Sequence, residues 1–472
     1  MNSQDFRKEA HKLVDWMADY FENIEQYPVK SQLAPQDIYR QIPDSPPQQG
    51  EPFEQIFEDF QQKILPGITH WQHPSFFAYF NGNNSFPSVL GEMLTATLAA
   101  QCMVWDTSPA AAELEEKVMN WLKEMMGIPA NFEGVIQDTA STATLCALLT
   151  AREKFSNYQI NQKGFQQENF MVYASSETHS SIDKAVKIAG LGIDNLRKIP
   201  ANKQFAMIPE ELDKAIRDDL AVGKKPLCVI ATVGTTSSTA IDPVRSLGEI
   251  CQKYGIFYHI DAAYAGTAAL LPEKRWILDG IELADTYLFN PHKWMFTNFD
   301  CTAYFVKDKK ALIRTFEILP EYLKTQSDAL VNNYRDWGIQ LGRRFRALKL
   351  WFVIRSFGVE GIQNKLRKHL ELAQWLKNKI EFHPDFEILA PLEFNLLCLR
   401  YKPQDIQDEA QLDFLNQKLI EKINRSGKAY LTHTRLKGTY TIRIAIGQTS
   451  VEARHIENLW EILQREAALL NN

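Results

Sequence analysis

The sequence predicts an α/β fold with a mainly parallel central sheet, preceded by an N-terminal helical segment and followed by a small α+β C-terminal domain. Through the middle of the chain, short apolar runs typical of strands alternate with helix-like segments, which favours a parallel sheet covered by helices. Small and polar residues follow several of these runs, as expected for a site at strand ends. With 472 residues, 45% of them apolar, the chain is long enough for more than one domain.

Residues 1–85 are predicted to form the helical segment. Leu13, Met17 and Tyr20 stand at helical spacing, and a proline-rich loop at 44–52 separates this first helix from a second one at 53–64. Two such helices have too few neighbours within the segment to fold alone.

The rest of the chain is predicted to form a large α/β domain at 86–360 and a small α+β domain at 361–472. In the large domain we expect a helix at 243–253 and strands at 171–174, 228–232, 256–260, 286–289 and 302–306. In the small domain, strand-like runs at 394–400 and 439–446 accompany an amphipathic helix at 410–423.

Charge and composition exclude several classes of partner. A net charge of −6 and a pI near 6.0 leave no basic surface of the kind that binds nucleic acid. The N-terminus lacks the apolar core of a signal peptide, and no run approaches the roughly 20 apolar residues that span a bilayer. Six cysteines are scattered without metal-type pairs, so we expect reduced core residues, no metal and a cytoplasmic protein.

Lys293 and Asp261 are the most informative residues of the chain. Lys293 follows the apolar run at 286–289, and Asp261 ends the run at 256–260. Pyridoxal phosphate chemistry needs a lysine amine that holds the cofactor as a Schiff base and an acid that keeps the pyridine nitrogen protonated. Taken alone, the aspartate could equally cap a helix and the lysine could be a surface charge.

Two further segments suit the same cofactor. Residues 134–145 pass from an apolar run into Thr139, Ala140 and Ser141 and then into a helix, which is typical of a phosphate site at a helix start. An ordinary capped helix has the same appearance. His179 stands in a polar loop after a short strand, where its ring could lie on an aromatic cofactor or simply cap the next helix.

From end to end the chain resembles the aromatic-L-amino-acid decarboxylase family, which includes the plant tyrosine and tryptophan decarboxylases. The most specific match is Asn-Pro-His-Lys-Trp at 290–294 followed by Asn-Phe-Asp-Cys at 298–301. The resemblance implies a fold-type I, transferase-like architecture, bound pyridoxal 5'-phosphate, and conversion of an aromatic L-amino acid to its amine and CO₂. It also implies a homodimer in which the N-terminal helices lie across the partner and the active sites are composite.

The resemblance assigns a role to each cofactor residue. Lys293 carries the cofactor, Asp261 pairs with its ring nitrogen, and His179 and Ala263 cover the two ring faces. The remaining assignments are Thr139, Ala140, Ser141 and Asn290 around the phosphate, with Thr236 and His292 near the cofactor. Thr236 could instead be a turn residue, and His292 could be a local hydrogen-bond donor.

Tyr322 decides the reaction type that the resemblance implies. It lies in a polar, aperiodic stretch at 320–328 that suits a mobile lid reaching the partner's site. Relatives with tyrosine there protonate the substrate carbon and release an amine, whereas those with phenylalanine tend to release an aldehyde in an oxygen-dependent reaction. A tyrosine that merely anchors a surface loop is the alternative.

The preferred substrate is open. The resemblance places six residues on the substrate pocket: Trp71, Tyr79, Phe80, Gln101, Met103 and Gly342. A glutamine at 101 could bind a ring hydroxyl, whereas glycine at 342 accompanies indole substrates among plant relatives. Asn81-Gly82 and Asp138 are further departures from the animal enzymes. An aldehyde synthase, a decarboxylase of a non-aromatic amino acid and a non-catalytic homologue therefore stay open.

Overall fold

A computed structural model describes residues 1–166, 168–318 and 330–470. These residues separate into two compact units, one formed by Met1–Asn81, Leu372–Leu389 and Leu397–Asn472 and the other by Gly82–Glu371 and Ala390–Leu396. The larger unit contains a seven-stranded sheet and the smaller one a four-stranded sheet.

The α-helices follow one another in chain order as α1 (Ser3–Glu22), α2 (Asp37–Gln41), α3 (Phe53–Asp59), α4 (Phe86–Leu98), α5 (Pro109–Met126), α6 (Ala140–Phe155), α7 (Ile160–Lys163), α8 (Ser181–Ile188), α9 (Pro209–Ala221), α10 (Val244–Tyr254), α11 (Pro291–Trp294), α12 (Lys309–Phe316), α13 (Arg346–Glu381), α14 (Glu409–Arg425) and α15 (Ala453–Ala468). Helix α13 consists of two helical stretches that meet at a kink at Gly358. The strands are β1 (Glu133–Gln137), β2 (Phe170–Ser175), β3 (Leu196–Ile199), β4 (Lys225–Thr232), β5 (Phe257–Asp261), β6 (Thr286–Phe289), β7 (Thr302–Val306), β8 (Phe386–Ile388), β9 (Leu396–Tyr401), β10 (Thr432–Leu436) and β11 (Thr439–Ala445).

The large sheet confirms the predicted fold class. Its strand order is β1-β7-β6-β5-β4-β2-β3, and only β7 runs antiparallel to its neighbours. The five predicted strands are present with shifts of a few residues at their ends. Edge strand β3 was not predicted, because Arg197 and Lys198 interrupt its apolar pattern and only its pairing with β2 makes it a strand.

Helix α6 packs closely on this sheet because its inner face carries small residues. Ala143, Ala147 and Ala151 are fully buried and belong to the same apolar core as strand residues Val172 and Ile230. Small side chains let the helix approach the strands, which places the start of α6 beside the carboxyl end of β1.

The smaller unit contains the N-terminal helices and the four-stranded sheet. Helix α1 begins at a capping box formed by Asn2 and Asp5, and the rings of Phe57 and Phe60 pack edge-on against Trp16 at 5.8 and 5.4 Å. The second predicted helix is only partly regular, because α3 ends at Asp59 and the chain continues to Ile64 as a π-helical turn. The small sheet has the order β10-β11-β9-β8 and is accompanied by α14, as predicted.

Within the residues that the structure describes, there is no helix with both the length and the apolar character that a transmembrane span requires.

Gly266 provides a test of how tightly the large unit is packed. A Cβ at this position would lie 2.5 Å from Phe289 Cβ and 2.6 Å from the Tyr287 hydroxyl. We expect Gly266→Ala to lower the free energy of unfolding by about 1–3 kcal/mol and to lower the midpoint of thermal unfolding measured by calorimetry. Gly50→Ala is the matched control, since no atom lies within 4 Å of its Cβ. Equal midpoints of thermal unfolding for the two variants would contradict tight packing around Gly266.

Candidate active site

The carboxyl ends of five strands bring the predicted cofactor residues to one edge of the large sheet. Strands β2, β4, β5 and β6 are mutually parallel, and β1 has the same direction because both β1 and β6 are antiparallel to β7. The residues that follow these ends are Thr139 after β1, His179 after β2, Thr236 after β4, Ala263 after β5 and Lys293 after β6. Open α/β sheets bind their ligands at this edge.

Asp261 is a buried carboxylate at the last position of β5. Its Oδ1 accepts a hydrogen bond of 3.0 Å from the Ala263 backbone N–H. Burial raises the pKa of the carboxyl, while that hydrogen bond and the charges of Lys293 and His179 act in the opposite direction. Asp261, Lys293 and His179 are therefore close enough to influence one another electrostatically.

Lys293 lies on the four-residue helix α11, directly after β6. The Lys293 backbone N–H donates to the Asn290 carbonyl at 2.9 Å. The Asn83 side-chain amide donates to the Lys293 carbonyl at 2.6 Å. Both bonds hold the main chain and leave the orientation of the ε-amine to the side chain. The side chain is half-buried.

His179 is held by the start of α8. Its Nδ1 accepts the Ser181 backbone N–H at 3.0 Å and lies 2.8 Å from the Ser181 hydroxyl oxygen. Desolvation by the surrounding protein atoms lowers the pKa of the imidazole, and the positive charge of Lys293 is the second cause of this decrease. At neutral pH the ring is therefore uncharged, with its proton on Nε2, and it is exposed at the sheet edge.

The N-terminus of α6 forms a polar turn with three of the predicted phosphate residues. Thr139 is the N-cap, and its hydroxyl accepts the Thr142 N–H at 3.4 Å. Ala140 and Ser141 supply the first helical N–H groups. The Asp138 carboxylate accepts the Thr139 N–H at 2.6 Å. The carboxylate of this residue, which departs from the animal enzymes, therefore lies in the same turn.

Asn290 is tied to this turn through Thr302. The Thr302 hydroxyl lies 2.8 Å from Asn290 Oδ1 and 3.2 Å from the Asp138 carbonyl oxygen. The Asn290 backbone N–H donates to the Ala263 carbonyl at 3.0 Å. Asn290 thus connects the segments that carry Asp261, Lys293 and Thr139.

His292 has a local structural contact in addition to its predicted role. Its Nδ1–H donates to the Cys301 carbonyl oxygen at 2.7 Å. Desolvation, followed by the charge of Lys293, lowers the pKa of the ring to about 3, so it is neutral. This bond matches the alternative of a local hydrogen-bonding residue, and contact with the cofactor stays a prediction. Thr236 is half-buried in the turn after β4.

The six predicted substrate residues fall into the two units, three in each. In the smaller unit, the rings of Trp71 and Tyr79 stack at 5.8 Å, and the Arg443 guanidinium lies 5.4 Å from the Phe80 ring. In the larger unit, the Met103 carbonyl accepts the Arg335 N–H at 2.9 Å, and Gln101 and Gly342 are neighbours. The predicted catalytic Tyr322 lies outside the described residues.

Sequence reasoning missed two residues that hold the site together. One is Asn83, which donates to the Lys293 carbonyl, and the other is Thr302, which contacts Asn290. Asn83 is far from Lys293 in the sequence, and Thr302 looks like an ordinary strand residue. No local sequence pattern could therefore have identified either of them.

The donor set of this edge fits pyridoxal phosphate. A primary amine suits an aldehyde, a buried carboxylate suits a protonated ring nitrogen, and the N–H groups at the start of a sixteen-residue helix suit a phosphate dianion. Because burial raises the pKa of Asp261, the ionised carboxylate needs a cationic partner, and a pyridinium N–H provides one.

Comparison with known proteins identifies the family of the chain. A family model described as "Pyridoxal-dependent decarboxylase conserved domain" matches residues 35–402. The chain is 43% identical to tyrosine decarboxylase 2 of Narcissus pseudonarcissus, with 100% of this chain and 95% of that protein covered. It is 42% identical to phenylacetaldehyde synthase of Petunia hybrida, with coverage of 100% and 96%.

A solved structure agrees over the same length. The crystal structure of Oryza sativa TDC with PLP and tryptamine superimposes on this chain with a TM-score of 0.97 at 34% identity, and the match covers 100% of this chain and 99% of that one. Together with the family match, this confirms the predicted fold class, cofactor and enzyme class. The chain belongs to the pyridoxal-dependent decarboxylase family and is an amino-acid decarboxylase that uses pyridoxal phosphate.

Proposed function

We propose that the protein converts an aromatic L-amino acid to the corresponding amine and CO₂. The observation that carries this proposal is the cluster of Lys293, Asp261 and His179 at the carboxyl edge of the large sheet. It is supported by full-length similarity to a tyrosine decarboxylase and by the similarity to TDC with bound tryptamine.

In this proposal the polar groups of the site hold the cofactor and keep its ring nitrogen protonated. When bound, pyridoxal phosphate supplies an acceptor for the electron pair left as CO₂ departs. The Lys293 ε-amine would hold the cofactor through its aldehyde group. The Asp261 carboxylate accepts a hydrogen bond from the protonated ring nitrogen, and the N-terminus of α6 binds the phosphate.

The remaining residues position the ring and move a proton. His179 is neutral and exposed, so it is suited to lie flat on one face of the ring, and Ala263 leaves space on the other face. Tyr322 delivers a proton to the substrate Cα after CO₂ has left, which is a step worth roughly 10²–10⁴-fold in rate. Without that proton the carbon would stay open to oxygen.

An aldehyde synthase is the second candidate function, because the relative from Petunia hybrida is a phenylacetaldehyde synthase. Such an enzyme would use the same residues to bind the cofactor. Tyr322 favours the amine-forming reaction, since a phenol has a transferable proton and a phenyl ring has none.

The proposal is tested by incubating the protein and pyridoxal phosphate with a panel of aromatic and non-aromatic amino acids. We expect CO₂ and amine in equal amounts from an aromatic member, and no turnover with Lys293→Ala. Turnover confined to a non-aromatic amino acid, or to none, would contradict the proposal. Aldehyde in place of amine would favour the synthase.

We also propose a homodimer with composite sites, in which 1–85 is the dimerisation segment, 86–360 binds the cofactor and 361–472 forms the small domain. Support for a dimer comes from an apolar stripe on α4, the first helix of the 86–360 domain. Phe86, Leu90, Leu94 and Leu98 recur every four residues along one face and are all exposed in the single chain. A stripe of this kind on a surface helix needs a partner to cover it.

We place the protein in the reducing cytoplasm. All six cysteines are buried thiols without disulfides, which suits a compartment that keeps thiols reduced. We propose neither a nucleic-acid nor a membrane partner.

Asp261→Asn separates the electrostatic role of Asp261 from a structural one. Asparagine keeps the size of the side chain and an oxygen for the Ala263 N–H. Because the folded-state pKa of Asp261 is raised, its contribution to stability is present below the ordinary pKa of aspartate and is lost as pH rises. Cofactor-free Asp261→Asn should therefore be at least as stable as wild type near neutral pH, and its advantage should shrink in acid. Turnover should nevertheless fall by about 10²–10³-fold.

Thermal unfolding of the cofactor-free proteins across a pH series, together with turnover and cofactor occupancy, measures these effects. Asp279→Asn is the control, because Asp279 is an exposed carboxylate paired with Arg245 and its pKa is lowered. Lower stability of Asp261→Asn at every pH, with equal losses of occupancy and turnover, would make Asp261 a structural carboxylate.

Tyr322→Phe should change the products. We expect wild type to form CO₂ and amine with little oxygen uptake, whereas the variant should consume O₂ and form aldehyde, ammonia and hydrogen peroxide. An oxygen electrode and product chromatography measure both outcomes. Amine formation by the variant at the wild-type rate would assign the proton to another group, such as His179 or a water molecule.

Composite sites should allow complementation between subunits. Heterodimers of Lys293→Ala and Tyr322→Phe chains contain one complete site of two, so we expect about half of the wild-type amine activity per purified heterodimer. Heterodimers of wild type with the double variant contain the same substitutions but no complete site, and they should lack that activity. Full activity of a monomer at high dilution would refute the assembly.

A further inference from the structure

The Asp138 carboxylate is fixed in the turn between β1 and α6. Its Oδ1 accepts the Thr139 N–H at 2.6 Å, and its Oδ2 accepts the Gln340 side-chain amide at 3.2 Å. In the common capping box, a Glu or Gln at the third helical position binds the N–H of the N-cap residue. That position holds Thr142 here, and Asp138 binds the N-cap N–H from the preceding residue instead. The carboxylate therefore closes the start of α6, with both of its oxygens held.

Two hydrogen-bond donors remain free beside this carboxylate. Ala140 and Ser141 are the first two residues of α6, and in the part of the chain that the structure describes no acceptor binds their backbone N–H groups. Ser141 is exposed and Asp138 is half-buried, so the turn is open to a ligand. A phosphate dianion that binds these two N–H groups lies in the same turn as the carboxylate.

Hydrogen bonds connect this turn to the segment that carries Lys293. The Thr302 hydroxyl lies 3.2 Å from the Asp138 carbonyl oxygen and 2.8 Å from Asn290 Oδ1. The Lys293 N–H in turn donates to the Asn290 carbonyl at 2.9 Å. Strand β7 pairs with both β1 and β6, so the ends of β1 and β6 lie two strand spacings apart, or about 10 Å. A cofactor held by Lys293 can therefore place its phosphate at the start of α6.

The negative charge of Asp138 is not neutralised by its partners. Among the described residues, the side-chain oxygens are bound by a backbone N–H, a hydroxyl and an amide, none of which is charged. The Arg346 guanidinium interacts with Asp138 electrostatically, but its hydrogen bonds of 3.1 and 3.0 Å go to the Asp300 carboxylate. The partial positive charge at the start of α6 is therefore shared between the carboxylate and any phosphate that binds there.

We propose that the Asp138 carboxylate weakens the binding of the cofactor's phosphate, so that occupancy of the site follows the concentration of free pyridoxal phosphate. This rests on the proposed binding of the phosphate at the start of α6. Like charges in one turn repel each other, and the carboxylate cannot turn away because Thr139 and Gln340 hold both of its oxygens. Solvent screens the repulsion, since the turn is partly exposed, and we expect a cost of about tenfold in affinity.

The test compares pyridoxal phosphate with pyridoxal, which lacks the phosphate. Asp138→Asn removes the charge and keeps an oxygen for the Thr139 N–H, and Asp138→Ser removes the charge and keeps a hydroxyl. Equilibrium dialysis of the cofactor-free proteins gives the dissociation constants of both compounds. We expect both variants to bind pyridoxal phosphate about tenfold more tightly than wild type and to bind pyridoxal with unchanged affinity. Asp279→Asn makes the same change of charge at an exposed carboxylate paired with Arg245, and it should bind both compounds like wild type.

Inorganic phosphate is a second probe, which does not involve Lys293. Its inhibition constant, measured from its competition with pyridoxal phosphate, should fall in both Asp138 variants by about the same factor. Affinities that change equally for pyridoxal phosphate and pyridoxal, or that change for neither, would overturn the proposal and make Asp138 a structural cap of α6. If the phosphate makes no difference to affinity in any of these proteins, the proposed phosphate site fails as well. All of these measurements are made without substrate, so failure of the proposed reaction is detected separately.

Discussion

The architecture of the site depends on a carboxylate buried at the end of a central strand. Removing Asp261 from water is costly, and a single backbone hydrogen bond does not offset that cost, as its raised pKa indicates. The carboxylate therefore requires positive charge nearby. Lys293 lies directly after the neighbouring strand β6, and in the proposed function the cofactor's ring nitrogen would supply a second cation. Parallel pairing of β5 with β6 places these groups at one edge.

A buried histidine on β5 connects helix α6 and strand β6 beneath this edge of the sheet. His259 lies two residues before Asp261 on β5, and its ring is 3.2 Å from the Thr144 hydroxyl on α6 and 2.8 Å from the Thr286 hydroxyl on β6. Burial lowers its pKa to about 3, so the ring works as a neutral hydrogen-bonding bridge. The bridge joins α6 to the strands that carry Asp261 and lead to Lys293. A shift of α6 relative to β5 would break the bond to Thr144, and a shift of β6 would break the bond to Thr286.

Two residues proposed for the substrate pocket lie against each other in the larger unit. The glutamine at 101 and the glycine at 342 suggest opposite substrates when each is considered alone. A Cβ at position 342 would lie 3.3 Å from Gln101 Nε2, so the glycine accommodates the glutamine side chain. The Asp138 carboxylate lies in the turn that is expected to bind phosphate. It accepts hydrogen bonds from the Thr139 N–H and from the Gln340 side-chain amide.

The sequence by itself determined the fold class and the central strands, because buried strands need apolar runs. It made Lys293 and Asp261 candidates for the cofactor site, because the cofactor chemistry needs those residue types, whereas the role of Tyr322 rests on the family resemblance and stays a prediction. The tertiary structure alone decided that β3 is a strand, that β7 runs antiparallel, that Asn83 holds the Lys293 main chain and that the Gln101 side-chain oxygen accepts the Arg343 N–H. The physical reason is the same in each case. These features depend on hydrogen bonds between segments far apart in the chain, and no local pattern of residues specifies the partner of such a bond.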